Sequence, residues 1–512
     1  MDSLLDDVPR GRYAGHIGKP PDSHFELPSN LAATESLRFK PGNPESKMFL
    51  GVVNGNVVKG ERLPDGRATR YVMGGTPIGI GGDQHGITIG GSRTGKGRNF
   101  VVPNLLALPA ETSLVSIDPK GDNARLTAPY RADVLGQAIA VFDSFGVAGD
   151  ECQSFHSVYN PIETVEKSDN RTFVPNAKLI ADALIVTGDF KDKHWDTTAQ
   201  QILSGLCALV AHHERYAGHR NLLTVYHLAS ELTSPDPDNR SRYWLEKEML
   251  ASDIGSGFVK NAARGFYDKT TGEFSSVLSN LRKHIEWIGI ECMADSLVGK
   301  SIDLKKLKSG SMAVYISLPA MRMSDLSGWL RLIIQMALAA HEEEQQRNSF
   351  HQTVFLMDEF HVLGRLSCLE TAAAQIAGLG AKLWPIIQDL GQLKKYESSW
   401  ETFLGNAGII QMFGLSDQTT LKYASEQMGQ ALALSRSTNL PTYEQAAKNA
   451  ATGESWSITS QPLMTPEEIS RFFARDDKLL RQLIIRPGYH PAIIQRAFYD
   501  KHQLFRGMCN EA

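Results

Sequence analysis

The chain has 512 residues, of which 42% are apolar and 21% charged; this is the balance of a folded globular protein with room for about three domains, and it excludes a small single module, a fibrous chain and a largely disordered one. With 53 Lys and Arg against 57 Asp and Glu the formal charge is -4, so a grip on nucleic acid requires a local basic surface. Five scattered cysteines, odd in number and without a CxxC pair, exclude a disulfide framework and a cysteine zinc site and fit a reducing cytosol.

The first ten residues, MDSLLDDVPR, are acidic and carry no readable export signal. The longest apolar stretches, 202–211 and 332–340, are shorter than the roughly 20 residues of a membrane-spanning helix. Residues 1–80 are rich in Pro and Gly and read as an irregular arm leading into a short β element at 48–53. From Ile87 onward, apolar runs bounded by Gly, Asp or Pro alternate with helical patterns, as a parallel α/β sheet requires. The runs at 86–89, 113–117, 138–142, 313–318, 354–357, 383–387 and 409–413 are the expected strands. Between the third and fourth lie amphipathic stretches at 177–186, 197–212 and 275–287, which predict a helical insertion with a loop at Pro235-Asp236-Pro237-Asp238. A helix is expected at 419–429, a flexible polar loop at 435–460, and two β runs at 482–485 and 492–498. The implied division is an N-terminal arm (1–80), a nucleotide-binding domain in two parts (81–165 and 301–512) and an inserted all-α domain (166–300).

The segment Gly90-Gly91-Ser92-Arg93-Thr94-Gly95-Lys96-Gly97-Arg98 matches GxxxxGK directly after a β run and before a helical pattern. Backbone N–H groups of such a turn, with the positive end of the following helix, cradle phosphates, and Lys96 would reach the β and γ phosphates of ATP. Gly97 stands where the usual loop has the Ser or Thr that ligates Mg²⁺. Downstream, Val354-Phe355-Leu356-Met357-Asp358-Glu359 ends an apolar run in two carboxylates. Asp358 would hold Mg²⁺ and Glu359 would polarise the attacking water; the plainer alternative is that Asp358 caps a helix. Gln388, after the run at 383–387, would sense the γ phosphate or be an ordinary strand-end residue. Pro385 inside that run predicts a bulge. Asp118 and Lys120 belong either to the site or to a β-to-α turn. His212-His213-Glu214 and His341 lack metal-ligand spacing and read as solvated helix ends. Lys394-Lys395-Tyr396 and the stretch 471–481 with Phe472 and Phe473 read either as a DNA-contacting surface or as solvated amphipathic faces.

Beyond the loop, the sequence resembles the type IV coupling proteins of bacterial conjugation and secretion. The resemblance runs through Val102-Pro103-Asn104-Leu105-Leu106, Asp118-Pro119-Lys120-Gly121, Tyr159-Asn160-Pro161, Trp195 with Ala199, Val314-Tyr315-Ile316 with Pro319, Asp358-Glu359-Phe360 with Leu363-Gly364, Gln388-Asp389-Leu390, Asn406, Gly429 and Leu463-Met464-Thr465-Pro466. It covers about residues 85–500, and glycine after the lysine is common in that family. It implies a RecA-like α/β P-loop NTPase fold with a central, mostly parallel sheet and an inserted all-α domain facing the substrate. It further implies ATP and Mg²⁺ as cofactors, a homo-hexameric ring, and DNA, relaxase or effector proteins, channel ATPases and inner-membrane components as partners. An arginine finger from a neighbouring subunit is expected, with Arg365 and Lys382 the residues considered. Most relatives carry N-terminal transmembrane helices where this chain has a polar arm, so a cytoplasmic form docked by partners is expected. The function implied is an ATPase delivering DNA or protein to a type IV channel. The alternatives are a cytosolic DNA translocase and a nucleotide-binding adaptor without sustained hydrolysis.

Overall fold

The computed structural model describes residues 23–62, 68–187, 193–233, 240–269, 271–343, 352–364, 376–394, 396, 400–439 and 453–509. The strands are β1 (Met48–Val53), β2 (Asn56–Arg62), β3 (Ala68–Met73), β4 (Thr76–Ile80), β5 (His85–Gly90), β6 (Ser113–Asp118), β7 (Ala138–Phe142), β8 (Met312–Ser317), β9 (Thr353–Met357), β10 (Ala381–Ile387), β11 (Ala407–Phe413), β12 (Gln430–Asn439), β13 (Gly453–Pro462), β14 (Arg481–Ile485) and β15 (Ala492–Gln495). The chain divides into two compact units, one from Met1–Pro109, Ile386–Lys394 and Leu404–Glu511, the other from Ala110–Pro385 and Lys395–Phe403.

In the first unit the strands follow the order β4-β1-β15-β14-β11-β5, with the last two residues of β10 beside β5. β5 runs parallel to β11 and to β10, while β1, β4, β14 and β15 pair antiparallel. Every residue of β5 is buried, which is why Ile87 and Ile89 are not separated by charged positions: a strand covered on both faces reads as an apolar run. Each such side chain contributes about 1.5–3 kcal/mol by leaving water.

The second unit holds a wholly parallel set, β10 (through Pro385)-β9-β6-β8-β7, again with β6, β8 and β9 fully buried. Between β7 and β8 its longer described elements are helices, including Phe173–Leu184, Lys193–His212, Leu222–Thr233, Arg240–Ala251, Ile254–Tyr267 and Thr271–Ile285. Lys193–His212 is the hub. Ala199, Ile202, Leu203, Leu206, Leu209 and Val210 recur at helical spacing and are buried. A Cβ on Gly205 would lie 2.7 Å from that of Ala262, so the absence of a side chain lets this helix meet Ile254–Tyr267 closely.

Several expectations are corrected. Residues 48–80 form four strands, two of them in the main sheet of the first unit and two in a β2–β3 hairpin, where an irregular arm with a single β element was expected. Instead of a loop, Gln430–Asn439 and Gly453–Pro462 pair residue for residue as an antiparallel ribbon. Pro385 causes no bulge. β10 keeps continuous register with β9 from Ala381 to Pro385, and its pairing with β5 starts only at Ile386, so the ladder beside β5 contains no proline. His341 is fully buried rather than a solvated helix end, with Nε2 2.8 Å from Thr353 Oγ1. His213 lies 3.1 Å from Glu248. Phe472, Phe473, Arg481 and Tyr396 are buried, so neither basic and aromatic stretch presents these groups to DNA. Residues 1–22, Pro235, Asp236, Pro237, Asp238, Arg365, Lys395 and 440–452 lie outside the described residues.

Candidate nucleotide-binding site

In the first unit β5 ends at Gly90, the loop occupies Gly91 to Lys96, and a wide π-type turn (Gly97–Val101) leads into the helix Val102–Ala107 with Pro103 in its first turn. Such widened turns recur at functional sites. The glycines are required by contact: a Cβ on Gly91 would lie 2.3 Å from the Gly414 carbonyl oxygen, and Gly95 has φ 87°. Arg93 also takes a left-handed conformation, φ 57°. Among the described residues, the amides of Ser92, Arg93 and Gly95 donate no hydrogen bond. Ser92 and Arg93 are successive, as in an anion-binding nest, while the Thr94 amide between Arg93 and Gly95 donates to Gly91 O at 3.4 Å. The polar side chains fold onto the loop's own carbonyls: Lys96 Nζ donates to Gly90 O at 2.8 Å, and Thr94 Oγ1 donates to Gly91 O at 2.7 Å. A Cβ on Gly97 would meet nothing within 4 Å, so the missing hydroxyl at this position is not imposed by crowding.

Gln388 belongs to the same unit. It follows Ile387, which is paired with Ile89, just as Gly90 follows Ile89; parallel neighbours stand about 4.8 Å apart, so Gln388 is within side-chain reach of the loop. Its backbone N–H donates to Gln392 Oε1 at 2.8 Å, and Asp389 caps the short helix Leu390–Leu393 that follows.

The acidic pair lies in the second unit. The buried strand β9 delivers Asp358, whose Oδ1 accepts the Glu359 N–H at 3.0 Å, and Glu359 sits at φ 52° with its carboxylate 3.4 Å from His361 Nδ1. Phe360 anchors the turn by stacking on Tyr396 (5.0 Å) and meeting Phe403 edge-on (5.4 Å). Buried Arg331 ties the segment down by donating to the carbonyls of Leu363, Ala183 and Leu184; burial lowers its pKa to about 10, so it stays cationic at neutral pH.

The partners of β5 are β10 and β11, and those of β9 are β6 and β10. Asp118 resolves as a turn residue: it is buried, accepts the Ala124 N–H at 2.9 Å at the start of the helix Asp122–Asp133, and is pushed up to about 7 by burial. Lys120 is exposed. Lys382 is 1% exposed within β10, which removes it as a finger reaching a neighbouring subunit.

Sequence reasoning missed the segment that follows β15. The expected strand at 492–498 stops at Gln495, and the next residues pack on the loop. Arg496 donates to Thr94 O at 3.0 Å, Phe498 lies 3.5 Å from where a Gly95 Cβ would be, and Asp500 receives a forked pair of bonds from Arg98 at 2.6 and 3.1 Å. With 402 positions between Arg496 and Thr94, no local spacing announces the contact.

The profile of the family described as "Type IV secretory system Conjugative DNA transfer" matches residues 47–512. Among curated relatives, a conjugal transfer protein TraG of Agrobacterium fabrum is 26% identical over 84% of this chain and 62% of its own length, and a TraG of Escherichia coli is 24% identical over 76% and 62%. Protein VirD4 of Agrobacterium fabrum is 23% identical over 83% and 60%. The chain thus spans about three fifths of the length of these relatives. Among solved structures, the bacterial conjugative coupling protein TrwB in its trigonal form with sulphate shares the fold with a TM-score of 0.62 at 12% identity, covering 95% of this chain and 96% of that one. TrwB with ADP and Mg²⁺ gives 0.57 at 12% identity over 81% and 85%. The fold is the α/β, RecA-like P-loop NTPase fold with a mostly parallel sheet, and no helix among the described residues is long and apolar enough to cross a membrane. With the profile match running from residue 47 to the last residue, the chain belongs to the type IV secretory system conjugative DNA transfer family.

Proposed function

We propose that this protein is an ATP-hydrolysing coupling protein that brings DNA, with its bound relaxase, or an effector protein to a type IV secretion channel. The observation that carries the nucleotide reading is the nest: three unengaged amides, of Ser92, Arg93 and Gly95, with the Lys96 ammonium beside them. Lys96 leaves the Gly90 carbonyl to bind the β and γ phosphates. Asp358 would hold Mg²⁺, which would supply charge neutralisation at the phosphates. Glu359 orients and deprotonates the attacking water, and Gln388 reads the γ phosphate from the strand beside the loop. The donor set suits a triphosphate; Gly97 offers no hydroxyl to the metal, so Asp358 carries that task. Gly90 to Arg98 form the cradle, the inserted helices face the cargo, and the working form is a homo-hexamer at the cytoplasmic side of the inner membrane, held there by channel ATPases and membrane components.

The test is phosphate release with single-stranded and duplex DNA over a range of protein concentrations. The reading predicts DNA-stimulated hydrolysis that Glu359→Gln abolishes while ATP binding survives, and that Lys96→Ala loses together with binding. Equal, background-level release by the parent and by Glu359→Gln makes the protein a nucleotide-binding adaptor instead, a reading that Gly97 favours. A DNA translocase unconnected to secretion is separated by whether the protein binds components of a type IV channel.

A further inference from the structure

Arg496 is 1% exposed, and burial lowers its pKa only to about 10, so it is a cation at neutral pH inside the first unit. All its side-chain hydrogen bonds go to neutral carbonyls: Thr94 at 3.0 Å, Leu480 at 3.4 Å and Arg475 at 3.4 Å. Among the described residues no carboxylate stands within ion-pair distance of it; the nearby Asp477 is engaged by Arg481 at 2.7 Å. Asp477 and Asp476 act on it only from beyond that distance, and the Phe413 ring centroid lies 5.5 Å away; a buried charge without a direct ion pair is costly. A plug of the chain reversal at 475–480 would need only the Leu480 and Arg475 bonds, which a neutral donor could make. The third bond runs to the phosphate loop.

The peptide unit is planar and trans, so the Thr94 carbonyl and the Gly95 N–H point in opposite directions. A guanidinium that holds the carbonyl on one side therefore aims the amide to the other. Behind the nest stands the guanidinium charge itself, held by no direct ion pair. By contrast Arg98, just after the loop, is neutralised by its fork to Asp500.

We propose that Arg496 is a positioning residue for polyphosphate: it fixes the Thr94–Gly95 peptide so that the Gly95 amide faces the anion, and its buried charge is compensated when phosphate binds. This rests on the nucleotide-site reading above. The effect belongs to the phosphates, so it is shared by ATP and by inorganic tripolyphosphate, which has no base or sugar.

The experiment is equilibrium binding of ATP and of tripolyphosphate to the full chain and to Arg496→Met, Arg496→Lys and Lys96→Ala, with folding checked by circular dichroism and thermal melting. Arg496→Met is expected to weaken both ligands at least tenfold, and Arg496→Lys to recover most of that loss. A folded Arg496→Met that binds both within twofold of the parent overturns the proposal, as does a loss seen with ATP but absent with tripolyphosphate, or a folded Arg496→Lys no better than Met. If Arg496→Met does not fold, Arg496→Leu, which likewise removes both the donor and the charge, takes its place with the same outcomes. Lys96→Ala separates the two layers: if it binds ATP as the parent does, the site reading itself fails, whereas failure at Arg496 alone leaves that reading standing.

Discussion

Glu359 holds a backbone conformation, φ 52°, that costs a non-glycine residue roughly 1–2 kcal/mol. Strain of this kind persists where the surroundings over-determine it, and here Phe360 is clamped by Tyr396 and Phe403 one residue on. Glu359→Gly should therefore keep or raise the unfolding free energy, by up to about 1 kcal/mol, while losing hydrolysis; Glu359→Gln should lose hydrolysis at unchanged stability. Denaturant titration beside phosphate release checks both. A second residue-scale prediction concerns Gly97, where a Cβ meets nothing within 4 Å and φ is not positive. Gly97→Ser should fold as the parent does and lower the Mg²⁺ concentration needed for half-maximal hydrolysis, by the few-fold that one added oxygen ligand provides. Lys96, Asp358, Glu359 and Gln388 were all legible as candidates because the chemistry of phosphate transfer prescribes residue types next to strand ends. Arg496 was not, because its role is set by a contact across the fold.

At the scale of elements, the buried parallel strands were the most legible part, since cover on both faces writes itself as an uninterrupted apolar run. β12 and β13 were not: the polar run from Ser435 to Ser460 carries no sustained apolar alternation and reads as loop. His341 shows how a polar residue on a helix can mislead. It sits on the helix Ser327–Glu343 against β9, with Nδ1 3.1 Å from Ala337 O and Nε2 2.8 Å from Thr353 Oγ1, which itself donates to Leu307 O at 2.8 Å. Burial lowers its pKa to about 4. The unfolded chain, with an ordinary histidine near 6.5, then binds more protons than the folded one between pH 6.5 and 4, so this group's contribution to stability falls as the pH is lowered through that window and is level above it. His341→Gln should flatten the dependence there, measured as the melting temperature against pH; an unchanged slope would mean that His341 does not titrate on unfolding.

For the whole molecule, the proposed reading draws the loop and Gln388 from one compact unit and Asp358 and Glu359 from the other. Sequence alone supplied the α/β class and the helical stretch between β7 and β8, because period and run length differ so plainly there. It could not place the loop and the acidic pair, since strand order is decided by packing and crossover rather than by position along the chain. If neighbouring subunits complete the site, phosphate released per chain should rise with protein concentration before levelling off; a constant value down to nanomolar protein would speak for a self-sufficient monomer. The central claim is that one triphosphate engages both Lys96 and Asp358, and the direct measurement is the affinity of Mn²⁺, standing in for Mg²⁺, followed by electron paramagnetic resonance with and without ATP. The account predicts tight Mn²⁺ binding that needs ATP and is lost in both Asp358→Asn and Lys96→Ala. Mn²⁺–ATP bound by Asp358→Asn as tightly as by the parent would contradict it.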